Sequence, residues 1–446
     1  MNNNKQKILI IGGGGREHAI GWKIRQSGRC GELYFAPGNG GTADLGMNVD
    51  IKATDIQALI EFVKKEKIDL TLAIPDDPLA LGIVDLFQKE GLRIFGPTQK
   101  AAELESSKAF SKQFMKRNNL PTAEFEVFSN FDQAKKYIEG KSMPIVVKAS
   151  GLALGKGVII AQNKDEAIKA LEDILVKKVF GEAGNEVVIE EFLVGPEISI
   201  HAFSDGISYK MFPSSQDHKK IGENDTGLNT GGMGTIAPLP RLIGGQAFIT
   251  DELMAQIEKE IVAPTLQAMR DEGMPYKGIL YPGLILTKDG PKILEYNARF
   301  GDPETQTYMR LLDTDLLDII DACIDEKLSQ IEINWKQLSA CTIVLASGGY
   351  PENYEKNKII SGIDSSTPSL RATPQEGNDI VVFQAGTKYD DKGNLITNGG
   401  RVLGVSATGD TLDKALESAY KVVEKISFDE MYYRKDIGKK ALAIRM

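Results

Sequence analysis

The chain reads as an α/β and α+β multidomain protein. It has an N-terminal parallel α/β sheet domain, a central α+β core in two subdomains and a β-rich C-terminal domain. Three observations carry that expectation. Residues 7–102 alternate short apolar strands with helical stretches, the pattern of a parallel sheet with crossover helices. Residues 123–193 form a compact series of strand, helix, two strands, helix and strand. Beyond residue 340, short strands and Gly/Asn turns dominate. A length of 446 residues agrees with about three domains. The expected units are 1–102, then 103–122 with 194–330, then 123–193, and finally 331–446.

In order, the N-terminal strands are predicted at Lys7–Ile11, Glu32–Ala36, Leu70–Ile74 and Arg93–Gly96, and the helices at Glu17–Ser27, Ile56–Lys65 and Leu79–Glu90. A helical pattern from Ala101 to Asn118 follows and stops before Pro121. The next unit reads as strands at Glu124–Phe128, Pro144–Lys148, Val158–Gln162 and Glu186–Leu193, with helices at Asp132–Glu139 and Lys164–Leu175. The last helix is expected at Leu412–Ile426. No internal repeat or low-complexity tract stands out.

Apolar residues make up 42% and charged residues 26%, the balance of a globular protein. A formal charge of −9 and a pI near 5.2 argue against a nucleic-acid-binding surface. The three cysteines, Cys30, Cys323 and Cys341, are odd in number and far apart, so neither a disulfide framework nor a zinc site is signalled. No run has transmembrane length, and the apolar Ile8–Ile11 is too short for a signal peptide. The expectation is a cytoplasmic enzyme with no nucleic-acid or membrane partner.

Four segments carry chemistry. Gly12-Gly13-Gly14-Gly15-Arg16 follows the first strand and opens a helix, where backbone amides can hold a phosphate. Glu17 stands where a dinucleotide fingerprint needs its third glycine, and the second strand ends Phe35-Ala36-Pro37-Gly38 without a ribose-binding acid. Arg16 therefore points to a substrate phosphate. Lys148 to Gly157 holds glycines at 151, 155 and 157 and a second lysine, Lys156, between two strands. Its spacing is not that of a Walker loop, and it leads into a strand instead of a helix. It reads as a glycine hairpin folding over a triphosphate. Glu190-Glu191-Phe192-Leu193-Val194-Gly195-Pro196-Glu197 delivers carboxylates and breaks, offering backbone for an adenine edge and a later carboxylate for ribose.

The fourth is Leu294-Glu295-Tyr296-Asn297-Ala298-Arg299, running into Phe300-Gly301-Asp302-Pro303-Glu304. Strand side chains alternate, so Glu295, Asn297 and Arg299 share one face. A carboxylate, an amide oxygen and a guanidinium together suit a hard cation and a phosphate. No Ser-His-Asp or Cys-His nucleophile signature is present.

Taken in order, these segments resemble the ATP-grasp superfamily and, within it, the phosphoribosylamine–glycine ligase (glycinamide ribonucleotide synthetase) family. The resemblance runs almost end to end. It includes Leu104–Phe110, Asp217-His218-Lys219, Asn229–Gly234, Gly348–Pro351 and Gly400–Leu403. It implies an ATP-grasp core formed by 103–122 with 194–330, a lid formed by 123–193, and ATP-driven joining of glycine to 5-phosphoribosylamine through glycyl phosphate. Lys108 and Lys148 would hold the ATP phosphates, with Gly151, Gly155, Lys156 and Gly157 closing over them. Glu190 and the Leu193 backbone would meet adenine, and Glu197 the ribose. Glu295 and Asn297 would ligate Mg2+ or Mn2+. Arg299, with Lys148, would serve the phosphoryl group catalytically. Gly13, Gly14, Arg16, Lys358 and Arg401 would contact the phosphoribosyl group, with Asp217 and Asn229 as further substrate contacts. The implied partners are small molecules, with a transient contact to the enzyme supplying the amine.

Some positions depart from the family pattern. Asp76-Asp77 stands for Glu-Ala, Ser150 for Asp, Ser106 for Gly, Leu228 for Pro and Pro196 for Glu. A sister ligase using formate or carbon dioxide would share the nucleotide residues but should lack the Asp217–Met233 and Arg299–Glu304 segments. A nucleotide-binding regulatory protein is the other alternative, and the intact cation ligands oppose it.

Overall fold

All five strands of the N-terminal sheet run parallel, in the spatial order Met47–Asn48, Cys30–Pro37, Gln6–Gly12, Leu70–Ala73, Ile94–Phe95. Ile8, Leu9, Ile10 and Ile11 are all fully buried, because helices cover both faces of such a sheet. The strand order reverses at Gln6–Gly12, so a crevice opens beyond its carboxyl end, where the Gly12–Gly15 turn lies. This computed structural model describes residues 5–153, 157–240, 249–363 and 379–442, with the backbone of 242–243 and 246–247.

Two predicted helices prove to be pairs. The stretch expected as Leu79–Glu90 is Asp76–Ala80 followed by Ile83–Lys89, parted at Gly82, whose φ of 80° suits glycine. The stretch expected as Ala101–Asn118 is Gln99–Ser106 followed by Lys108–Arg117. Ser107 between them is extended and its hydroxyl accepts from the Phe110 amide at 3.2 Å, capping the second helix. The break falls in the polar run Glu105-Ser106-Ser107-Lys108, which an exposed turn of a single helix would also show. Its consequence is to set Lys108 in the first turn of a helix.

The lid is an antiparallel sheet in the order Phe125–Phe128, Val187–Glu191, Ile145–Ala149, Val158–Ala161. Helices Phe131–Glu139 and Lys164–Leu171 pack on it around Ala134, Ile138, Val147, Leu171 and Ile189. Past Leu171 the helix widens into a π-type turn, Glu172–Val176. The strand expected to reach Leu193 ends at Glu191, so Phe192 to Pro196 lie outside the sheet as a connector.

The core sheet centres on the long strand Lys277–Thr287. Glu197–Ser199 and Ala202–Asp205 pair along one edge, with Tyr209–Met211 beyond, and Gly290–Asn297 pairs along the other. The last sheet runs Gln216–Asp217, Gly234–Ala237, Ser339–Ala346, Arg401–Gly409, Ile380–Gln384. Its first two strands precede residue 330, so this sheet stitches the core to the C-terminal segment. Alternation then sorts its faces. Cys341, Ile343 and Leu345 pack in the cluster of Ala415, Leu416 and Ala419 on helix Leu412–Val423. Between them Thr342 points the other way, its hydroxyl 2.8 Å from that of Thr307 on helix Glu304–Leu311.

Candidate active site

The side expected to take the nucleotide is assembled by strand register. Val146 pairs with Glu190 and Lys148 with Val188, so Lys148 and Glu190 are diagonal neighbours on one face. Lys148 Nζ lies 2.9 Å from Glu190 Oε2 and 3.2 Å from the Leu294 carbonyl. A second buried ammonium, Lys112 Nζ, lies 3.3 Å from the same carboxylate oxygen. Lys108 donates to the Gly151 carbonyl at 3.2 Å, which ties the start of its helix to the first turn of the glycine hairpin. Burial, resisted by Glu295, holds the Lys108 ammonium below the usual lysine range. Ser150, where the family pattern has Asp, accepts from the Ala109 amide at 3.1 Å. Gly157 closes the hairpin through its carbonyl, which accepts from the Ala149 amide at 2.8 Å. Gly155 and Lys156 lie outside the described residues.

Across the cleft Glu295 Oε1 lies 3.1 Å from Lys219 Nζ, and Glu197 lies 4.0 Å from the same ammonium. Lys219 above all, with Lys148 and Lys108, holds the Glu295 carboxyl down to about 2 against its burial. Arg299 Nη2 lies 3.1 Å from Asn297 Oδ1 and 2.9 Å from Glu105 Oε1, while Glu105 Oε2 accepts from the Ala298 amide at 2.7 Å. The expected shared face is therefore present, with Asn297 and Arg299 in contact. Arg299 Nε is buried without a partner among the described residues. Asp76 is half-buried nearby; desolvation would raise its carboxyl, but Arg299 and Arg16 outweigh it and hold it low.

The donor set fits a divalent cation. Glu295 supplies an ionised carboxylate and Asn297 an amide oxygen, both hard ligands. Among the described residues no cluster of three or more His, Cys, Asp or Glu forms a closed cage. Two protein oxygens with the remainder left to phosphate and water is the arrangement magnesium favours. Leu193 is half-buried in the connector, and Glu197 stands exposed at the head of its strand.

A second group of residues converges at the switch point of the N-terminal sheet. Arg16 donates to Glu17 Oε1 at 2.7 Å and to the Phe300 carbonyl at 3.0 Å, while Glu17 Oε2 accepts from the Gly14 amide at 2.6 Å. Glu17 thus closes the loop on itself, which explains a glutamate where a dinucleotide site has glycine. A Cβ on Gly13 would lie 2.3 Å from the Gly38 carbonyl oxygen, so only glycine allows this approach. Asn39 ties the loop to the C-terminal sheet, donating to the Gly13 carbonyl at 3.0 Å and the Gln384 carbonyl at 2.8 Å. Arg401 donates to the carbonyls of Gly231 and Asp302, and its Nη2 lies 3.1 Å from the Asp302 carboxylate.

The remaining expected residues are spread more widely. Asp217 sits on the strand next to Gly234–Ala237, its Oδ1 buried and unpartnered among the described residues. Burial first, then Glu304, pushes its carboxyl well above the usual range. Asn229 pairs with Lys220 in a two-stranded hairpin. Lys358 is held by Glu355 at 2.7 Å and Asp429 at 3.1 Å, and no hydrogen bond or ion pair among the described residues joins it to Arg401. Sequence reading gave no role to Lys112, Lys219, Glu105, Asp302 or Glu304. Only Lys112 had a usable signal, four residues after Lys108 and so on the same helix face.

Lysines from a helix start and a lid strand face a Glu-x-Asn-x-Arg strand across a cleft between two α+β units, which defines the ATP-grasp class of ligases. Three family models match in succession: the phosphoribosylglycinamide synthetase N domain fits residues 6–105, its ATP-grasp (A) domain 106–305 and its C domain 340–440. The chain belongs to the phosphoribosylglycinamide synthetase family. It is 46% identical over 440 residues to the phosphoribosylamine–glycine ligase of Chlorobaculum tepidum, covering 98% of this chain and 100% of that one. It is 45% identical to the bifunctional purine biosynthetic protein of Schizosaccharomyces pombe, covering 97% of this chain and 53% of that protein. Among solved structures, the phosphoribosylamine–glycine ligase of Thermotoga maritima superposes with a TM-score of 0.80 at 35% identity, over 96% of this chain and 99% of that one. A biotin carboxylase domain from Hydrogenobacter thermophilus, with a TM-score of 0.72 at 14% identity over 99% of this chain and 94% of that one, shares the fold.

Proposed function

We propose that this chain joins glycine to 5-phosphoribosylamine at the expense of ATP, giving glycinamide ribonucleotide, ADP and phosphate in purine biosynthesis. One observation carries the reading beyond family membership. Arg299, facing the cation ligands, and Asp302, paired with Arg401 beside the glycine loop, lie within a single turn. Two anion-handling groups therefore meet where a phosphoryl group and a phosphoribosyl amine have to meet.

In the first step the glycine carboxylate attacks the γ-phosphorus and ADP leaves, forming glycyl phosphate. In the second the amine of phosphoribosylamine attacks the glycyl carbon, loses a proton, and phosphate departs. Neither step needs a nucleophilic side chain; both need charge neutralisation, alignment and exclusion of water. Lys108 and Lys148 hold the phosphates, and Arg299 steadies the group in transfer. The hairpin 151–157 covers them; Glu190, Leu193 and Glu197 seat adenine and ribose. Glu295 and Asn297 would hold Mg2+ or Mn2+, which would supply neutralisation of phosphate charge. Gly13, Gly14, Arg16 and Arg401 take the phosphoribosyl group, Asp217 and Asn229 complete the substrate contacts, and Lys358 is the outermost member.

We place the reaction in the cytoplasm. Among the described residues no helix is long and apolar enough to cross a membrane, and Cys30, Cys323 and Cys341 are buried free thiols. The short-lived amine favours direct transfer from the enzyme that makes it. An ADP-release assay tests the whole reading: turnover must require both glycine and phosphoribosylamine. Comparable turnover with formate or bicarbonate in place of glycine would overturn it.

A further inference from the structure

Glu190 carries two buried ammonium groups on one oxygen and none on the other. Oε2 lies 2.9 Å from Lys148 and 3.3 Å from Lys112, while Oε1 is buried with no partner among the described residues. The side chains of Lys112 and Glu190 are each only 2% exposed. A buried carboxylate stripped of its counter-ion is strongly disfavoured. Lys148 is also the lysine expected to serve the ATP phosphates. If it alone neutralised Glu190, moving to a phosphate would strand that carboxylate.

Lys112 removes the conflict. Its Nζ donates to Thr122 Oγ1 at 2.6 Å, and Thr122 Oγ1 donates to the Ile293 carbonyl at 2.7 Å. That chain fixes the ammonium from behind, away from the glycine hairpin. Its helix is capped at Ser107, so the lysine is carried on a rigid element.

We propose that Lys112 is a positioning residue of the nucleotide cleft. It remains as counter-ion of Glu190, releases Lys148 to the ATP phosphates, and keeps Glu190 oriented with Oε1 free for the exocyclic amine of adenine. The inference rests on the assignment of ATP to this cleft. An acceptor oxygen welcomes the adenine amine and repels the carbonyl that replaces it in hypoxanthine, so Lys112 contributes to base selection as well as affinity. Burial first, with Glu190 opposing, holds the Lys112 ammonium down to about 8, so it remains charged at neutral pH.

The test is equilibrium binding of ATP and inosine triphosphate to the full chain and to Lys112→Met, Lys112→Arg, Glu190→Gln and the double variant Lys112→Met/Glu190→Gln. Lys112→Met should weaken ATP about tenfold or more and lower the ATP preference, because a charge-assisted contact is lost and the carboxylate reorients. Lys112→Arg should retain most of that preference. With Glu190→Gln already present there is no carboxylate to hold, and adding Lys112→Met should change ATP binding less than about twofold. This cycle also decides the matter if Lys112→Met fails to fold alone: a folded double variant matching Glu190→Gln supports the proposal. An unchanged ATP preference in folded Lys112→Met overturns it, as does an equal loss in both backgrounds. Failure of the unaltered chain to bind ATP would instead sink the nucleotide assignment and this inference with it.

Discussion

The proposed nucleotide side of the cleft and the proposed phosphoribosyl corner share one turn but hold their charges differently. On the nucleotide side, ammonium groups rest on carboxylates: Lys148 and Lys112 on Glu190, and Lys219 on Glu295. In the corner, side chains are tied chiefly to backbone: Arg16 to Phe300, Arg401 to Gly231 and Asp302, Asn39 to Gly13 and Gln384. The first arrangement lets ion-pair partners exchange if a polyanion and its cation bind as proposed. The second is preformed and has little to rearrange. Binding of ATP should therefore depend on charge, and binding of the ribosyl substrate on shape.

The comparison can be broken most severely at Glu295. Glu295→Gln keeps the shape and removes the charge that pairs with Lys219 and that we propose for a cation. We expect turnover to fall on the order of 100-fold or more, read by ADP release across a Mg2+ and Mn2+ titration, with the fold intact by circular dichroism. Near-normal turnover with the same cation dependence would refute the cation assignment.

Arg401→Ala attacks the corner instead. Losing charge-assisted bonds to two carbonyls and a carboxylate should cost about 2–3 kcal/mol at that site, seen as a raised KM for phosphoribosylamine. The Kd for ATP should stay within about twofold, since the nucleotide contacts are separate and distant effects add. A parallel loss of ATP affinity would erase the distinction between the two regions.

Gly13→Ala tests preformation by shape alone. The new methyl would meet the Gly38 carbonyl oxygen at 2.3 Å, a backbone atom that cannot swing away. A destabilisation of about 1–3 kcal/mol is expected, measured by denaturant unfolding, together with weaker phosphoribosylamine binding.

Acid separates the regions further. His18 is buried and its Nδ1 accepts from the Gln384 amide at 2.8 Å, joining the N-terminal and C-terminal sheets. Burial above all holds His18 down to about 4, against an ordinary value of 6.5. The folded state thus favours neutral imidazole, while the unfolded chain takes a proton first as pH falls. This contribution is fully present above pH 6.5 and is lost progressively towards pH 4, by about 1–3 kcal/mol at the lower end. Glu295, held down to about 2, keeps its charge through that window. Melting temperatures at pH 7 and pH 5 should fall less for His18→Gln than for the unaltered chain; an equal fall would exclude His18 as the cause.

The smallest effect is expected at Lys358. It is engaged with Glu355 and Asp429 at the surface, where solvent screens such pairs and they contribute little. Lys358→Ala should raise the KM for phosphoribosylamine no more than a few-fold, and a larger rise would bring this lysine into the corner proper.

The two regions were not equally legible in the sequence. The shared face of Glu295, Asn297 and Arg299 follows from strand alternation, a local rule, and Asn297 and Arg299 do touch. The glycine loop and its capping glutamate lie within six residues, so their mutual bonds are local as well. Lys219 carried no such mark, and for Lys112 the spacing from Lys108 gave its helix face but not its burial. A lysine on a helix is ordinarily solvated, and only packing against the lid buries one on Glu190. The break at Ser107 lies in the polar run Glu105–Lys108, which an exposed helical turn would also show, and the Ser107 cap is seen only in the fold. The strands Gln216–Asp217 and Gly234–Ala237 looked like parts of the core region, yet they pair into the C-terminal sheet.

By itself the sequence determined the succession of a parallel α/β unit, two α+β units and a β-rich unit, and the order of the segments carrying chemistry. Those depend on periodicities of two and 3.6 residues and on glycine spacing, all interactions between near neighbours. Only the tertiary structure decided that Arg401 grips Asp302 across 99 positions, that Arg16 reaches Phe300 across 284, and that two lysines share one oxygen of Glu190. Such contacts are chosen by which apolar faces bury together, and that choice is made by the whole chain at once.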